Sequence, residues 1–331
     1  MEILPRFEVL RPGSVAAAID FRETHANARF VAGGTDLMVN LRHGLGEPDA
    51  LIDLRHIPEL RGISVTADGM KIGCAVTLAE LGGQEGICTD YPALVAAALS
   101  VGAPAHREAA TIGGNLCLDT RCQFYNRSEW FREANEFCLK YRGETCHVAP
   151  TGKRCHAAFS GDLAPALLVY GAEIELVGRG GRRRIPLGDL YAEDGAAHLR
   201  IAADELLACI YLPRDPWPAA YAKARARGAI DFPLAGVAVA LRGEGSRVDG
   251  LRVAMTGTNA RPFLLSGTSA LESMAIDGTW RDRLAKLVQK QVSPMRTTLL
   301  DGQYRRRVAS ALATRLACQL AGVSVEQGSK A

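Results

Sequence analysis

The spacing of apolar and polar residues predicts alternating strands and helices in the first part of the chain. Apolar positions at helical spacing predict a helix over Val15–Arg22, with the Ser14 hydroxyl as its N-cap. The β-rich run Arg29–Ala32 predicts a strand that stops at two glycines. Either Thr35 or Asp36 then caps a second helix. We therefore expect a β-α-β unit in this region.

The rest of the chain mixes the same two types of element, separated by glycine- and proline-containing turns. The mixture predicts an α+β fold. Changes in composition along the chain divide it into segments 1–56, 57–216 and 217–331. The predicted strands are Ala50–Leu54, Ile63–Thr66, Met70–Cys74, Leu167–Tyr170, Glu173–Val177, Arg184–Leu187, Leu206–Leu212, Leu234–Leu241 and Leu251–Thr256. The predicted helices are a short one from a Thr77 cap through Leu81, then Pro92–Val101, Arg281–Val292 and Tyr304–Ala321.

Composition narrows the class of protein. The 331 residues are 48% hydrophobic and 23% charged, which is typical of a globular protein and excludes a disordered chain. The longest stretch without a formal charge, Tyr91–His106, is interrupted by prolines and is too short for a membrane span. A net charge of +3 is too weak to predict binding to nucleic acid or membranes. The N-terminus lacks the pattern of a secretory signal, so we expect a cytoplasmic protein.

The segment Asp119–Ser160 differs in composition from its surroundings. Its 42 residues hold seven of the chain's 20 aromatic residues and four of its nine cysteines. A loop of this length without internal structure is uncommon in a compact domain, which predicts an insertion with its own small core. Within it, Ser128 is expected to cap a helix with one apolar face, formed by Trp130, Phe131, Ala134, Phe137 and Cys138.

Two loops with adjacent glycines are candidate ligand sites. Glycines allow the backbone to approach a ligand closely, and exposed N–H groups attract phosphate oxygens. Each loop alone also fits an ordinary tight turn, but two of them fit a diphosphate held from both sides. Neither is a G-x-G-x-x-G sequence, so a Rossmann site is not indicated. The first loop contains Val31, Ala32, Gly33, Gly34, Thr35, Asp36 and Leu37, and the second Thr111, Ile112, Gly113, Gly114 and Asn115.

The cysteines of the aromatic-rich segment are candidate metal ligands. Cys122, Cys138, Cys146 and Cys155 are separated by 15, 7 and 8 residues. Four such thiolates suit a tetrahedral zinc site or a [4Fe–4S] cluster. The lack of a C-x-x-C pair weakens the zinc-ribbon and ferredoxin interpretations, and four unrelated buried cysteines remain the alternative.

The remaining candidate residues are given structural roles. His147 and His156 adjoin cysteines but are interpreted as non-ligands. Cys117 lies two residues after the second glycine loop and is not counted as a metal ligand, and the arginines Arg182–Arg184 are interpreted as a solvated β-turn. No acid–base pair stands out, so no catalytic residue is assigned. The cysteines expected in the core are Cys74, Cys88, Cys209 and Cys318.

Four segments resemble the FAD-binding subunits of the molybdenum hydroxylase family, which includes xanthine dehydrogenases and aerobic carbon monoxide dehydrogenases. They are Val31–Leu37 (VAGGTDL), Thr111–Leu116 (TIGGNL), Gly161–Leu168 (GDLAPALL) and Lys223–Ala235 (KARARGAIDFPLA). The resemblance implies a two-lobed FAD-binding domain of the PCMH type, followed by a smaller α+β domain. The cysteine-bearing insertion is absent from most members, and Arg107–Ala110 departs from the Arg-Asn-x-Gly sequence common before the second loop.

The resemblance also implies cofactors and partners. FAD would lie between the two lobes, against the two glycine loops, Val101, Asp162 and Lys223. In the branch of the family that has such an insertion, its four cysteines bind a [4Fe–4S] cluster. The implied partners are a molybdopterin-binding large subunit, a small subunit with [2Fe–2S] clusters, and ferredoxin as electron donor. The implied reaction is the reductive dehydroxylation of 4-hydroxybenzoyl-CoA.

Two alternatives remain at this stage. The insertion is a structural zinc element in an ordinary hydroxylase whose electrons leave to NAD or quinone, or the chain is a non-catalytic assembly module whose glycine loops are only turns. Iron analysis separates the first alternative from the cluster, and flavin absorbance tests the second.

Overall fold

A computed structural model describes residues 4–323; residues 1–3 and 324–331, at the ends of the first and last expected domains, lie outside the described residues. The first lobe is a parallel sheet in which β1 (Glu8–Leu10) and β2 (Arg29–Val31) flank β3 (Ala50–Asp53). Its helices are α1 (Val15–Thr24) and α2 (Leu37–Arg42). The Ser14 hydroxyl accepts a hydrogen bond from the Ala17 amide and so caps α1, as the sequence predicts.

The second lobe is built on an antiparallel sheet of five strands in the order β4-β5-β8-β6-β7. Thr77 and Glu80 form a capping box at the first of its helices. The strands are β4 (Ile63–Thr66), β5 (Gly69–Gly73), β6 (Glu173–Gly178), β7 (Gly181–Pro186) and β8 (Leu206–Pro213). The helices are α3 (Leu78–Gly83), α4 (Glu85–Asp90), α5 (Pro92–Leu99), α6 (Pro104–Ala109), α7 (Ile112–Leu116), α8 (Glu129–Ala134) and α9 (Leu163–Tyr170).

The C-terminal region pairs an antiparallel sheet with two amphipathic helices. Its strands are β9 (Ala219–Ala224), β10 (Ala235–Glu244), β11 (Arg247–Thr256) and β12 (Phe263–Leu264), in the order β12-β11-β10-β9, and its helices are α10 (Gly278–Gln291) and α11 (Gly302–Leu320). Trp280 is fully buried between sheet and helices, and its indole N–H donates to the Leu271 carbonyl. Within residues 4–323, no helix has the length and apolar character needed to cross a membrane.

The strand predicted at Leu167–Tyr170 is wrong, because these residues end helix α9, which begins at Leu163. Every residue of α9 is buried, so no polar face reveals a helical period. Gly171 closes the helix in a left-handed conformation, with φ of 73°. Helix α9 is buried because it packs between the sheet of the C-terminal region and helices α5 and α7 of the second lobe.

Three smaller predictions also need correction. The helix capped by Ser128 ends at Ala134, and Phe137 lies beyond it with φ of 58°. The arginines Arg182–Arg184 lie on exposed strand β7 rather than in a turn, and pair with glutamates of neighbouring strands and loops. Cys88 is exposed instead of belonging to the core.

Residues 119–160 contribute helix α8 and a small apolar core of their own. The backbone of Arg121 pairs with that of Ala158, which closes the segment at its base. The core of the segment also includes Leu45 of the first lobe, which attaches it to the β-α-β unit. Its buried members are Leu45, Cys122, Tyr125, Cys138, Cys155 and Ala157.

Candidate functional site

A cavity of about 440 Å³ lies between the two lobes, and both glycine loops open onto it. This volume is within the usual range of small-molecule sites. Of the residues expected at a ligand site, Ile112, Gly113 and Lys223 are not part of the cavity wall. Those that line it are Val31, Ala32, Gly33, Gly34, Thr35, Asp36, Leu37, Val101, Thr111, Gly114, Asn115 and Asp162.

The first loop depends on its glycines for its shape. Gly34 has φ of 69°, a left-handed conformation in which side chains are strained. Gly33 packs directly against the backbone at Ala109 and Ala110 of the second lobe, with no room for a Cβ. The loop then enters helix α2, but Asp36 makes no side-chain cap. Its carboxylate is engaged elsewhere, as described below.

The second loop is the first turn of helix α7. The Thr111 hydroxyl accepts a hydrogen bond of 3.0 Å from the Gly114 amide. A Cβ on Gly113 would lie 2.7 Å from the Cβ of Cys74, so this glycine faces the core rather than the cavity. Asn115 accepts a 3.1 Å hydrogen bond from the Leu163 amide and thereby links the loop to helix α9. The helical turn explains why Ile112 and Gly113 are buried while Gly114 borders the cavity.

A buried polar cluster supports the cavity on the side of the C-terminal region. The Tyr221 hydroxyl donates to Asp162 Oδ1 at 2.6 Å, and Lys223 Nζ donates to Oδ2 at 3.1 Å. Burial and the adjacent carboxylate raise the pKa of Tyr221, which keeps its hydroxyl protonated as a donor. Lys223 also donates to the Asp231 carbonyl at 3.2 Å. Asp162 thus reaches the cavity, whereas Lys223 lies behind it and anchors the loop at Asp231.

Arg121 is a cavity residue that the sequence did not indicate. It forms an ion pair with Asp36, donates to Asn40 Oδ1 at 3.1 Å, and lies 4.6 Å from the ring centroid of Phe232. Burial lowers its pKa to about 10. In the part of the chain that the structure describes, Arg121 Nε is buried without a hydrogen-bond partner. The glycine loops are recognisable from local sequence, whereas Arg121 joins Asp36 across 85 positions of the chain.

Other residues of the cavity wall were also not predicted from the sequence. The loop carrying Arg227 and Phe232 borders the cavity, and Ile230 in it has φ of 51°. The KARARGAIDFPLA motif is the one signal that pointed to this loop. The further lining residues are Arg29, Phe30, Val39, Asn40, Gly102, His106, Ala110, Cys117, Leu118, Asp119, Ser160 and Asp231.

The four cysteines of residues 119–160 line a second, smaller cavity. Each is buried, at 8% exposure or less. The Ala157 amide donates to Cys155 Sγ at 3.4 Å, a type of contact that also stabilises thiolates. Burial raises the pKa of Cys122 to about 11 and that of Cys155 to about 12. These groups are therefore neutral thiols unless a bound positive centre compensates their charge.

The arrangement of the thiols bears on what they can bind. Across residues 4–323, no group of three or more cysteine, histidine or acidic side chains is placed around a single metal ion. His147 Nε2 instead contacts the Phe137 carbonyl, and its ring lies 5.0 Å from that of Phe124. Cys117 lines the larger cavity and is separate from the four-thiol set.

Comparisons with known sequences identify both parts of the chain. Residues 5–215 match the family described as the FAD binding domain in molybdopterin dehydrogenase, and residues 219–320 match the CO dehydrogenase flavoprotein C-terminal domain. The carbon monoxide dehydrogenase medium chain of Afipia carboxidovorans is 25% identical, with 93% of this chain and 94% of the relative covered. The putative xanthine dehydrogenase FAD-binding subunit of Escherichia coli K12 is 28% identical, with 74% and 71% covered.

Solved structures agree at the level of the fold. A chain of the reconstituted CO dehydrogenase from Oligotropha carboxidovorans superposes with a TM-score of 0.79 at 23% identity, covering 97% of this chain and all of the other. Quinoline 2-oxidoreductase from Pseudomonas putida 86 gives 0.78 at 21% identity, with 97% and 98% covered. Because the family match spans most of the chain and includes both glycine loops, this protein belongs to the FAD-binding subunits of the molybdenum hydroxylase family.

Proposed function

We propose that this chain is the electron-transfer subunit of an enzyme similar to 4-hydroxybenzoyl-CoA reductase, whose β subunit it resembles. In this proposal FAD and a [4Fe–4S] cluster supply the route by which electrons from ferredoxin reach the molybdenum subunit, where 4-hydroxybenzoyl-CoA becomes benzoyl-CoA. The partners are a molybdopterin-binding large subunit and a [2Fe–2S] small subunit, in a reducing cytoplasmic compartment. One observation carries the proposal: the same chain has both of the cavities described above. We call the larger one, between the glycine loops, the flavin cleft, and the smaller one, lined by the four cysteines, the four-thiol cavity.

The residues of the larger cavity fit FAD. Gly33 and Gly34 line one wall of the cavity and Gly114 the opposite wall, and the lack of side chains there lets the oxygens of a diphosphate approach the backbone. Arg121 adds a buried cation whose Nε lacks a partner in the described structure, so it has a donor to offer an anionic ligand. Asp162, held by Tyr221 and Lys223, presents a fixed carboxylate to the same space. The boundaries that we propose near residues 56 and 216 assign the first glycine loop to one lobe, and Gly114, Arg121 and Asp162 to the other.

The four thiols provide the ligand set of the proposed cluster. A tetrahedral zinc site brings every sulfur to about 2.3 Å from one point. A [4Fe–4S] cluster binds each thiolate through a different iron, which spaces the sulfurs more widely. Cys122, Cys138, Cys146 and Cys155 line one cavity, which supports a group held by all four thiolates over four unrelated buried cysteines.

The proposal is tested on the intact complex purified without oxygen. We expect FAD and about four iron atoms per chain beyond those of the [2Fe–2S] subunit. The additional paramagnetic signal of the reduced enzyme should disappear in the variant Cys146→Ser. The complex should also form benzoyl-CoA from 4-hydroxybenzoyl-CoA with reduced ferredoxin. Zinc in place of the extra iron, or substrate oxidation coupled to NAD or quinone, would contradict the proposal.

A further inference from the structure

An ion pair between a buried lysine and a half-buried aspartate lies in the wall between the four-thiol cavity and the flavin cleft. Lys140 lines the four-thiol cavity, and its side chain is 6% exposed. Its ammonium nitrogen lies 2.6 Å from Oδ1 of Asp119, which lines the flavin cleft. The positive end of the pair therefore lies on the side of the thiols, and the negative end on the side of the flavin loops.

The ammonium group of Lys140 is held firmly in this position. Besides Asp119, it donates to the Thr120 hydroxyl at 2.5 Å and to the Thr120 carbonyl at 3.2 Å. These three acceptors match the three hydrogens of an ammonium group. The nitrogen also lies 4.1 Å from the ring centroid of Tyr125, which is itself part of the thiol cavity wall. The charge of Lys140 is thus fixed rather than free to reach solvent.

The same wall continues to the first glycine loop. The Asp119 amide donates to Asp36 Oδ2 at 3.4 Å, and Asp36 pairs with Arg121 on its other side. The wall thus holds one ion pair at the thiol cavity, Lys140 with Asp119, and a second at the flavin cleft, Arg121 with Asp36. An apolar side chain would fill the position of Lys140 without the cost of burying a charge.

A fixed cation beside a cluster has a definite physical effect. One-electron reduction makes a cluster and its thiolates more negative by one unit, and a nearby positive charge stabilises that state. The charge also acts more strongly in a buried site than in water. Lys140 is in position to do this at the four-thiol cavity, and Asp119 partly offsets it from the flavin side.

We infer that Lys140 is a positioning residue that raises the reduction potential of the cluster bound by Cys122, Cys138, Cys146 and Cys155, with Asp119 opposing it. This inference rests on the proposed function, because it requires the cluster to be present. It assigns to the segment 119–160 a role beyond supplying thiol ligands: the segment also sets how readily the cluster accepts an electron before passing it toward the flavin.

The test is a redox titration of the intact complex, monitored by the paramagnetic signal that Cys146→Ser removes. Lys140→Met should shift the midpoint potential of that signal downward. Lys140→Arg keeps the positive charge, so its midpoint potential should lie close to that of the unmodified complex. Asp119→Asn, which leaves Lys140 in place, should shift it upward. Lys153→Met removes an exposed lysine of the same segment and should leave the potential unchanged, since its charge is screened by water.

The opposite directions for the two partners distinguish charge from folding. Damage to the packing would move Lys140→Met and Asp119→Asn in the same direction, and that result would overturn the inference. A midpoint potential for Lys140→Met equal to that of Lys153→Met would also overturn the inference. If Lys140→Met fails to retain iron, the upward shift in Asp119→Asn still decides the matter. Absence of a cysteine-dependent cluster signal in the unmodified enzyme would instead refute the proposed function, and the inference with it.

Discussion

Gly33 in the first lobe lies so close to Ala109 in the second that an added Cβ would come within 1.8 Å of the Ala109 carbonyl oxygen. The two lobes therefore meet backbone to backbone at the edge of the flavin cleft. The contact defines the spacing between the first glycine loop, which begins at Val31, and the second, which begins at Thr111, and both loops open onto the same cavity. The distance between the two walls that carry the glycine loops is thus controlled by a residue without a side chain.

Gly33→Ala should weaken FAD binding by roughly 10- to 100-fold, because relieving such a clash typically costs about 1–3 kcal/mol and separates the two loops. Fluorescence titration of the deflavinated complex with FAD measures the effect. Gly13→Ala is the matched control, since its added methyl meets nothing within 4 Å. Equal affinity in the two variants would show that the contact between the lobes does not set the flavin site.

Substitution of each proposed ligand cysteine should remove iron while leaving FAD in place. Cys122→Ser, Cys138→Ser, Cys146→Ser and Cys155→Ser each delete one thiolate from the proposed cluster, which needs four, so we expect a loss approaching four iron atoms per chain. Iron and flavin analysis of the anaerobically purified complex measures both quantities. Cys88→Ser, on the surface, and Cys117→Ser, at the flavin cleft, are the controls. An equal loss of iron in Cys117→Ser would show that the ligand set is wrong.

Arg121→Met should lower FAD affinity without reducing the iron content. Loss of a hydrogen-bonded charge costs about 1.5–3 kcal/mol, and here it also leaves the Asp36 carboxylate uncompensated at the flavin loop. We expect affinity to fall roughly 10- to 100-fold, with Arg121→Lys intermediate. Arg127→Met removes an exposed arginine of the same segment and should bind FAD normally. Unchanged FAD affinity in Arg121→Met would mean that this side chain only holds residues 119–160 against the first lobe, through its ion pair with Asp36.

The parts of the site that the sequence predicts are those with a local signature. Two adjacent glycines are visible in the sequence, and so are hydroxyl residues that begin helices, such as Ser14 and Thr77. The structure places both glycine loops on one cavity and shows both hydroxyl caps. The physical reason is that a backbone conformation or a cap depends on neighbouring residues, which are adjacent in the chain.

The parts that the sequence does not predict depend on distant neighbours. The run Leu163–Tyr170 is buried on every side, so its apolar pattern does not separate helix from strand. Arg121 is one arginine among many until the fold brings it to Asp36 and Phe232. The pairing of Lys140 with Asp119 is likewise a property of the folded segment. Charge pairs between residues that are distant in the chain are therefore identified only in the folded structure. The class of cofactor, in contrast, is predicted from local sequence motifs.

His198 makes the stability of the flavin cleft depend on pH. It is buried, and its Nε2 lies 2.9 Å from the carbonyl oxygen of Leu118, a cleft residue. Burial lowers the pKa of His198, so the folded protein binds a proton less readily than the unfolded chain. Stability is therefore full above the unfolded pKa of about 6.5 and falls as the pH drops toward the folded pKa, by up to about 1.4 kcal/mol per pH unit.

His198→Gln should reduce this acid sensitivity, because glutamine does not ionise in this range and its amide can still donate to the Leu118 carbonyl. We expect the temperature of flavin release to fall less between pH 7.5 and pH 5.5 in the variant than in the unmodified complex, as followed by flavin fluorescence. His56→Gln, at an exposed histidine, should retain the full pH dependence. If His198→Gln loses as much stability on acidification as His56→Gln, another group carries the effect, since the buried imidazole would then contribute nothing to it.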